Sequence, residues 1–396
     1  MNQKLIISIV ALVVLFSCKT AKKQTFNFEA TYNQNTETYF LAELLAVKHR
    51  KTNVQWEHYK LETCQQYQPV VKLALDTFDT DDTSEFAKLT ARFCDTLVSY
   101  GYGNDIMMPI LLQLPEFNQH QKSETFKLSN LPIDSQKKME LKHIISNYLD
   151  VLYQFYVDQD VESFFKKHNS FYMGAINELK EIIPSDFTNA MQTYYGEQRY
   201  KYVALISPME IWPIEEHEGR GISATVETDG KKTVYELMSP YVKVPIDNSG
   251  LYNSYGFNYE PTARFLTIHE FSHSFVNSSL EIYREQIEAS SNLFTESLKE
   301  KMASKGVGNW YTYVIESFVR LGEIRIAAIQ KDYEREKRLR IYHTETEHFI
   351  FLPQLEEAIL NYEKNRDTYP LWKDYIPKLL DVFAKYDSTF VDEALK

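Results

Sequence analysis

The sequence predicts an α+β protein that is predominantly helical, with one small antiparallel sheet near the middle of the chain. In the first half, apolar residues recur at spacings of three and four, as in ELKHIISNYLDVLYQFYV, which is typical of amphipathic helices. Near residue 198 the pattern changes. RYKYVALIS is rich in β-branched and aromatic residues, and ISATVET and KKTVYELMS flank Asp229-Gly230, a strong hairpin signal. The 396 residues are 44% hydrophobic, which is enough to bury a sizeable core.

The N-terminus has the pattern of a secretory signal. Lys4 precedes an apolar run from Leu5 to Phe16, and Ser17 and Cys18 follow. The ending LFSC resembles a bacterial lipoprotein box, which implies cleavage before Cys18 and lipidation of that cysteine. An uncleaved anchor or plain secretion is the alternative. We therefore expect a lipid-anchored protein of the bacterial cell envelope, at the outer membrane on its periplasmic or surface face, with the membrane as one partner.

The remaining organisation follows from the same patterns. We predict a signal peptide at 1–18, a polar tether at 19–27, a helical N-terminal region at 28–190 and a second domain at 191–396. The formal net charge of −12 disfavours nucleic acid as a partner. An oxidising compartment would permit a disulfide between Cys64 and Cys94, but the sequence leaves that pairing open.

Helices return at Pro261 and continue to the C-terminus. One runs through TIHEFSHSFVN, a second spans about 280–304, a break falls at KGVGN, and a third spans about 310–340. A last helical segment includes FLPQLEEAILNYEKNRDTYPLWKDYIPKLLDVFAKY. The second domain is thus expected to place a sheet before a series of helices.

The stretch TIHEFSHSFVN contains the pattern H-E-x-x-H at His269, Glu270 and His273. Residues four apart share one helical face, so both imidazoles can bind a single tetrahedral metal ion. A separate stripe faces the core, made of Phe265, Ile268, Ser272 and Phe275. The alternative is two histidines on a solvated helix face. The amphipathic register favours a zinc site.

A catalytic zinc ion needs a third protein ligand. Positions 276 and 279 hold Val276 and Ser279, so no third histidine follows at the metzincin spacing. The glutamates available later in the chain are Glu281, Glu288, Glu296, Glu316 and Glu323. Glu316 is favoured because apolar neighbours on a well-formed helix indicate a buried carboxylate, which needs a partner. The alternative is a helical ion pair between Glu316 and Arg320.

HEFSH followed by a distant glutamate resembles the gluzincin branch of zinc metallopeptidases, the thermolysin-like arrangement. More narrowly, HEFSHSFVN, then WYTYVIESFVR with Arg325 beyond, then YEKNRDTYP, resemble an uncharacterised bacterial family known as domain of unknown function 4932, over roughly residues 190–385. The resemblance implies a zincin-like domain, with His269, His273 and Glu316 as zinc ligands and Glu270 as general base.

One residue departs from the thermolysin pattern. Four residues after the ligand glutamate that pattern has an aspartate, which supports a ligand histidine, whereas this chain has Arg320. An arginine cannot accept a histidine N–H, so the support must come from elsewhere. Asn277 is one candidate.

The resulting hypothesis is hydrolysis of a peptide or protein substrate, in which zinc activates a water and Glu270 takes its proton. Tyr313 and Arg320 are the preferred donors to the oxyanion, and the further candidates are Tyr255, Tyr259 and His343. An edge strand near RYKYVALIS or GISATVET could bind an extended substrate. Two alternatives remain open: a lipoprotein that binds a partner and retains a vestigial or structural zinc site, and a zinc-dependent hydrolase of a non-peptide amide or ester.

Overall fold

A four-stranded sheet lies beneath the predicted motif helix. In this computed structural model, which describes residues 27–119, 126–128, 135–183, 186–215, 217–246 and 252–396, the strands are β1 (Phe28–Thr31), β2 (Lys201–Ile206), β3 (Gly221–Thr228) and β4 (Lys231–Met238). The predicted signal peptide, Cys18 and the tether up to residue 26 lie outside the described residues. In the described part of the chain, no helix is long and apolar enough to cross a membrane.

The sheet is mixed, so the predicted antiparallel sheet is wrong in that respect. The strand order is β1-β2-β4-β3, with parallel pairs β1–β2 and β2–β4 and one antiparallel pair, β3–β4. Strand β2 is therefore internal, so RYKYVALIS is not an edge strand that could bind an extended substrate. Its apolar run VALI is buried at every position, as expected for a parallel strand covered on both faces. Strand β3 is an edge.

The predicted hairpin is confirmed at β3 and β4. Their register pairs Thr228 with Lys231, which leaves Asp229 and Gly230 as the two turn residues. Both have positive φ, 51° and 72°, the conformation that a two-residue type I′ turn requires. Glycine adopts that conformation without strain, which is why the Asp-Gly pair identifies the turn.

The N-terminal region is mostly helical, as predicted, although it begins with β1. Its helices are α1 (Gln34–Ala46), α2 (Val54–Tyr67), α3 (Pro69–Phe78), α4 (Ser84–Ser99), α5 (Met107–Leu111), α6 (Ser135–Asp158), α7 (Val161–Lys167), α8 (Asn169–Ile182) and α9 (Phe187–Tyr195). One hydrophobic core includes Tyr39 and Leu152 of this region together with Phe271 and Phe318 of the next. The regions on either side of residue 190 thus share a sheet and a core. Cys64 and Cys94 are buried free thiols.

The C-terminal helices are α10 (Glu260–Leu280), α11 (Arg284–Glu288), α12 (Glu296–Ala303), α13 (Trp310–Ile329), α14 (Tyr333–Ile341), α15 (Leu352–Lys364), α16 (Ile376–Phe383) and α17 (Ser388–Ala394). The predicted helix at 280–304 is instead interrupted between α11 and α12. The predicted helix at 310–340 ends early because Lys331 has a φ of 60° and Asp332 caps α14. Asn309 caps the start of α13 through the Thr312 N–H.

Helix α10 is the element that positions the site. It packs on β3 and β4 with one side and against α13 with another. Pro261 lies in its first turn, where a missing N–H has no cost. Ile268, Ser272 and Phe275 of the predicted core stripe are buried, and Phe265 is half-buried. His269 and His273 face α13, whereas Glu270 faces β3.

Candidate metal centre

His269 and His273 meet on one face of α10, as the spacing of four predicts. Their Nε2 atoms are 3.3 Å apart. Glu316 reaches them from α13, with one carboxylate oxygen 3.6 Å from His269 Nε2 and the other 3.6 Å from His273 Nε2. Ligand atoms around a tetrahedral ion at normal zinc distances are about 3.3–3.6 Å apart. These three side chains can therefore hold a metal ion.

The hydrogen bonds of the two Nδ1 atoms fix the ring orientations of His269 and His273. His269 Nδ1 lies 2.8 Å from Glu323 Oε1, and His273 Nδ1 lies 3.0 Å from Asn277 Oδ1, the contact predicted for Asn277. Because a carboxylate or amide oxygen only accepts, each Nδ1 carries the hydrogen and donates. With the hydrogen on Nδ1, a neutral ring keeps its Nε2 lone pair for the centre, and this is the form of histidine that binds metal.

The remaining glutamates considered as third ligands lie elsewhere. Glu288 and Glu296 are exposed, and Glu281 pairs with Arg284 and accepts a hydrogen bond from Tyr311. Glu323 is fully buried, but it contacts Nδ1 of His269 rather than the Nε2 atoms. Among the five candidates, Glu316 is the one that joins the two histidines.

A buried network of charged side chains supports the three candidate ligands; we call it the buttress network. Arg320 donates to Glu347 at 2.9 and 3.1 Å and to Glu316 at 2.5 Å. His343 lies 2.5 Å from Glu347 and 3.1 Å from Glu323. The ion pair between Glu316 and Arg320 therefore coexists with the contacts of Glu316 to the histidines. The members of the network are Arg320, Glu323, His343 and Glu347.

A short π-helical turn supplies half of this network. Residues Tyr342–Thr346 form the turn, and Glu347 follows directly. His343 and Glu347 are one such turn apart, so both reach inward toward α13. π-helical turns are rare and occur often at functional sites.

The charges around the centre shift its pKa values in opposite directions. Burial would raise the pKa of Glu316, but the charges of His273 and Arg320 outweigh it and hold that pKa below its usual value. Burial would lower the pKa of His269, but the hydrogen bond to Glu323 and the charge of Glu316 raise it to about 9. The Glu316 shift reflects cations beside a carboxylate, and the His269 shift reflects carboxylates beside an imidazole, so each charge is stabilised by the opposite one.

The predicted oxyanion donors already have partners. The Tyr313 hydroxyl is buried, donates to the carbonyl of His348 at 3.2 Å and accepts from the N–H of Ile350 at 3.0 Å. Arg320 and His343 belong to the buttress network. Tyr313 thus bonds the backbone of His348 and Ile350, whereas Arg320 bonds Glu316 and Glu347. The further candidates Tyr255 and Tyr259 pack against Phe171 and His217.

Glu270 faces the sheet, next to His269. Only 8% of its surface is exposed, and its carboxylate lies against the Cα of Gly221 at the start of β3. A Cβ at position 221 would collide with that carboxylate. On the same side, Glu236 of β4 is fully buried and neither of its carboxylate oxygens has a hydrogen bond to the described residues. Burial, and then the charge of Glu270, raise the pKa of Glu236.

An open cleft of about 860 Å³ runs between β3 and the helices α10 and α13, and its walls include His273, Asn277 and Tyr311.

The backbone of β3 is paired on one side only. Just before β3, Ser239 N donates to Arg220 O at 2.9 Å, and antiparallel pairing repeats at every second residue, so the even-numbered residues of β3 form the hydrogen bonds to β4. The odd-numbered residues direct their N–H and C=O groups to the open edge: Gly221, Ser223, Thr225 and Glu227. No described residue bonds these edge groups. An extended chain could therefore pair with β3 inside the cleft.

Sequence reasoning missed the support roles of Glu323, His343 and Glu347. One signal was present, because Glu316, Arg320 and Glu323 follow at intervals of four and three and so share a face of α13. Glu347 gave no local signal, because its contact with Arg320 depends on how the chain returns after α14.

These features define a predominantly helical α+β protein with a candidate metal centre of two histidines and a glutamate. Residues 128–382 match the family described as Domain of unknown function (DUF4932), and the chain belongs to that family. This confirms the narrower of the two resemblances, and the matched range contains every residue of the centre and its buttress network. Neither the curated proteins nor the solved structures gave a match.

Proposed function

We propose that the protein is a zinc-dependent metallopeptidase with a zincin-like domain, in which His269, His273 and Glu316 bind the metal. One observation carries the proposal: the Nε2 atoms of His269 and His273 are 3.3 Å apart, and each lies 3.6 Å from one of the two oxygens of the Glu316 carboxylate, close to the spacing of zinc ligands. Imidazole nitrogen favours zinc over magnesium or calcium, which prefer oxygen ligands throughout. Three protein ligands would leave a fourth position open, as in catalytic zinc sites.

Glu270 is the proposed general base. Zinc, when bound, would supply a Lewis acid that makes a water molecule acidic enough to lose a proton near neutral pH. Glu270 follows His269 directly, and its charge is one of those that raise the pKa of His269, which supports this role. Gly221 leaves the space that the carboxylate occupies. The role of Glu270 thus depends on the close approach of a strand as well as on the motif.

A peptide substrate fits the cleft better than a compact one. The odd-numbered β3 residues present unpaired backbone groups along a cleft that also contains His273. Main-chain pairing with such an edge holds a peptide extended, and it would lead the scissile bond past the centre. We retain the expectation that a lipid on Cys18 anchors the enzyme in the bacterial cell envelope.

The test combines metal analysis of the purified chain with cleavage of a peptide library. We expect one zinc per chain and cleavage that a chelator abolishes. Glu270→Gln should bind zinc as the parent does and cleave nothing, because the amide cannot accept the proton. Glu285→Gln, an exposed change beyond α10, is the matched control and should cleave normally.

Two outcomes would contradict the proposal. Zinc binding without cleavage of any peptide would indicate a binding protein with a structural zinc site. Chelator-sensitive cleavage of simple esters or amides, with no peptide cleaved, would indicate a different hydrolase at the same centre.

A further inference from the structure

A second cavity lies in the N-terminal half of the fold, away from the cleft. Its volume is about 240 Å³, and it opens between α2, α4 and the segment that leads into β3. The cavity and the cleft share no wall residue. The walls that carry the argument are Glu43, Trp56, Lys60, Asn104, Trp212 and Arg220. We call this cavity the aromatic-rimmed pocket.

Exposed aromatic rings surround the mouth of the pocket. Trp56 is 42% exposed, although tryptophan is usually well buried, and Tyr59 beside it is 40% exposed. The Trp56 ring lies 5.6 Å from Trp212 and 5.7 Å from Tyr59, measured between centroids. Arg220 lies over the Trp212 ring. The pocket therefore offers flat apolar faces at its entrance that the described residues leave partly uncovered.

The floor of the pocket is a preformed set of donors and acceptors. Asn104 donates to Glu43 at 2.9 Å, and Arg220 donates to the Asn104 carbonyl oxygen at 2.9 Å. Tyr39 donates to the other oxygen of Glu43 at 3.3 Å. These bonds hold Glu43 and Asn104 in fixed orientations and leave further lone pairs on their oxygens.

The three cations that line the pocket already have acidic partners. Lys60 lies 3.1 Å from Glu57, and Arg220 lies 3.1 Å from Glu210. The third cation, Arg50, pairs with Asp95 at 2.9 Å. An anionic ligand would have to break one of these pairs to gain a cation as partner. A hydroxyl group can instead accept from the cation and donate to the acid without separating them.

We propose that the aromatic-rimmed pocket binds a neutral, polyhydroxylated ligand, namely a saccharide of one or two rings. The C–H face of a sugar ring would stack on Trp56, and its hydroxyls would reach the Glu43–Asn104–Arg220 floor. The cavity volume suits a ligand of this size, because it is near the lower end of ordinary ligand pockets. The helices α1, α2 and α4 lie outside the range matched by the family, whereas Trp212 and Arg220 lie inside it.

The proposal does not depend on hydrolysis, so its test measures binding alone. We would record saturation-transfer difference NMR on the full chain with glucose, galactose, mannose, N-acetylglucosamine and their β-linked disaccharides. We expect transfer to the ring protons of at least one sugar. Trp56→Ala should weaken binding of that sugar about tenfold, the order expected for loss of one stacked ring. Tyr333→Ala, which removes an exposed ring on α14, is the matched control and should bind as the parent does.

Asn104→Ala is a second test of the pocket that remains usable if Trp56→Ala fails to fold. It should also weaken binding, while the thermal midpoints of all three variants are compared with that of the parent. Absence of transfer to every sugar in the panel overturns the proposal. Equal binding by the parent and Trp56→Ala also overturns it, as does preferential transfer to a zwitterion such as glutamate.

Discussion

Replacing Glu323 by glutamine should weaken metal binding although Glu323 is not a ligand. Glu323 is 0% exposed and joins two histidines, with one oxygen 2.8 Å from His269 Nδ1 and the other 3.1 Å from His343 Nε2. A glutamine keeps the shape but can accept from only one of these rings. Its amide group would point a donor at the other ring.

The expected magnitude follows from these two contacts. Loss of a carboxylate behind a ligand histidine reduces metal affinity about 10- to 100-fold, or roughly 1.4–2.7 kcal/mol. Loss of one charge-assisted hydrogen bond should also lower the free energy of unfolding by about 1.5–3 kcal/mol. The two effects are separable because one is measured as a zinc Kd and the other as urea unfolding of the chelated chain.

A matched control separates local support of the ligand from general loss of charge. Glu363→Gln removes a carboxylate that accepts two hydrogen bonds of 2.8 Å from Arg325, outside the buttress network. We expect it to lower stability while leaving the zinc Kd unchanged. The assay is competition with a chromophoric chelator at fixed pH. A Glu323→Gln protein that binds zinc within twofold of the parent would refute the reasoning.

Two further predictions concern the sheet and the core. Gly221→Ala should impair peptide cleavage and leave zinc bound, because its Cβ displaces the Glu270 carboxylate. Gly308→Ala, which has open space around the added Cβ, is the control. Normal cleavage by Gly221→Ala would contradict the proposed position of the general base. Burial raises the pKa of Glu37 to about 8. Its contribution to stability is therefore present below about pH 4.5 and is lost as pH rises through 8, by up to about 1.4 kcal/mol per pH unit. Glu37→Gln should flatten that dependence in urea unfolding at pH 5 and pH 8, and an unchanged slope would contradict it.

Local pattern was enough to predict the parts of the site that lie on single elements. The spacing of His269 and His273, the core stripe of α10 and the Asp229-Gly230 turn all follow from the geometry of one helix or one hairpin. Glu316 could be ranked first because burial of a charged residue on an amphipathic helix demands a partner. The ring atoms that it faces could not be read from α13 alone.

Long-range pairing accounts for what the sequence did not predict. Strand β1 is four residues long, and it is a strand because β2 pairs with it across more than 160 residues of chain. Nothing in FEAT itself distinguishes such a strand from the turn before a helix. The mixed sheet follows from the parallel pairs β1–β2 and β2–β4 beside the antiparallel hairpin. Likewise, Glu347 supports Glu316 only through Arg320, since the chain after α14 folds back on α13.

The arginine that departs from the thermolysin pattern is explained by the balance of charge in the centre. Four carboxylates converge there, three of them buried and that of Glu316 half-buried: Glu270, Glu316, Glu323 and Glu347. Both ring nitrogens of His343 face carboxylates, so both must donate and the ring carries a positive charge. With Arg320 there are two cations against four anions, and a divalent metal ion would supply the missing two charges. An aspartate at position 320 would replace a cation by a fifth anion. In this chain Glu323, less than one turn after Arg320 on the same face of α13, accepts the hydrogen bond of His269.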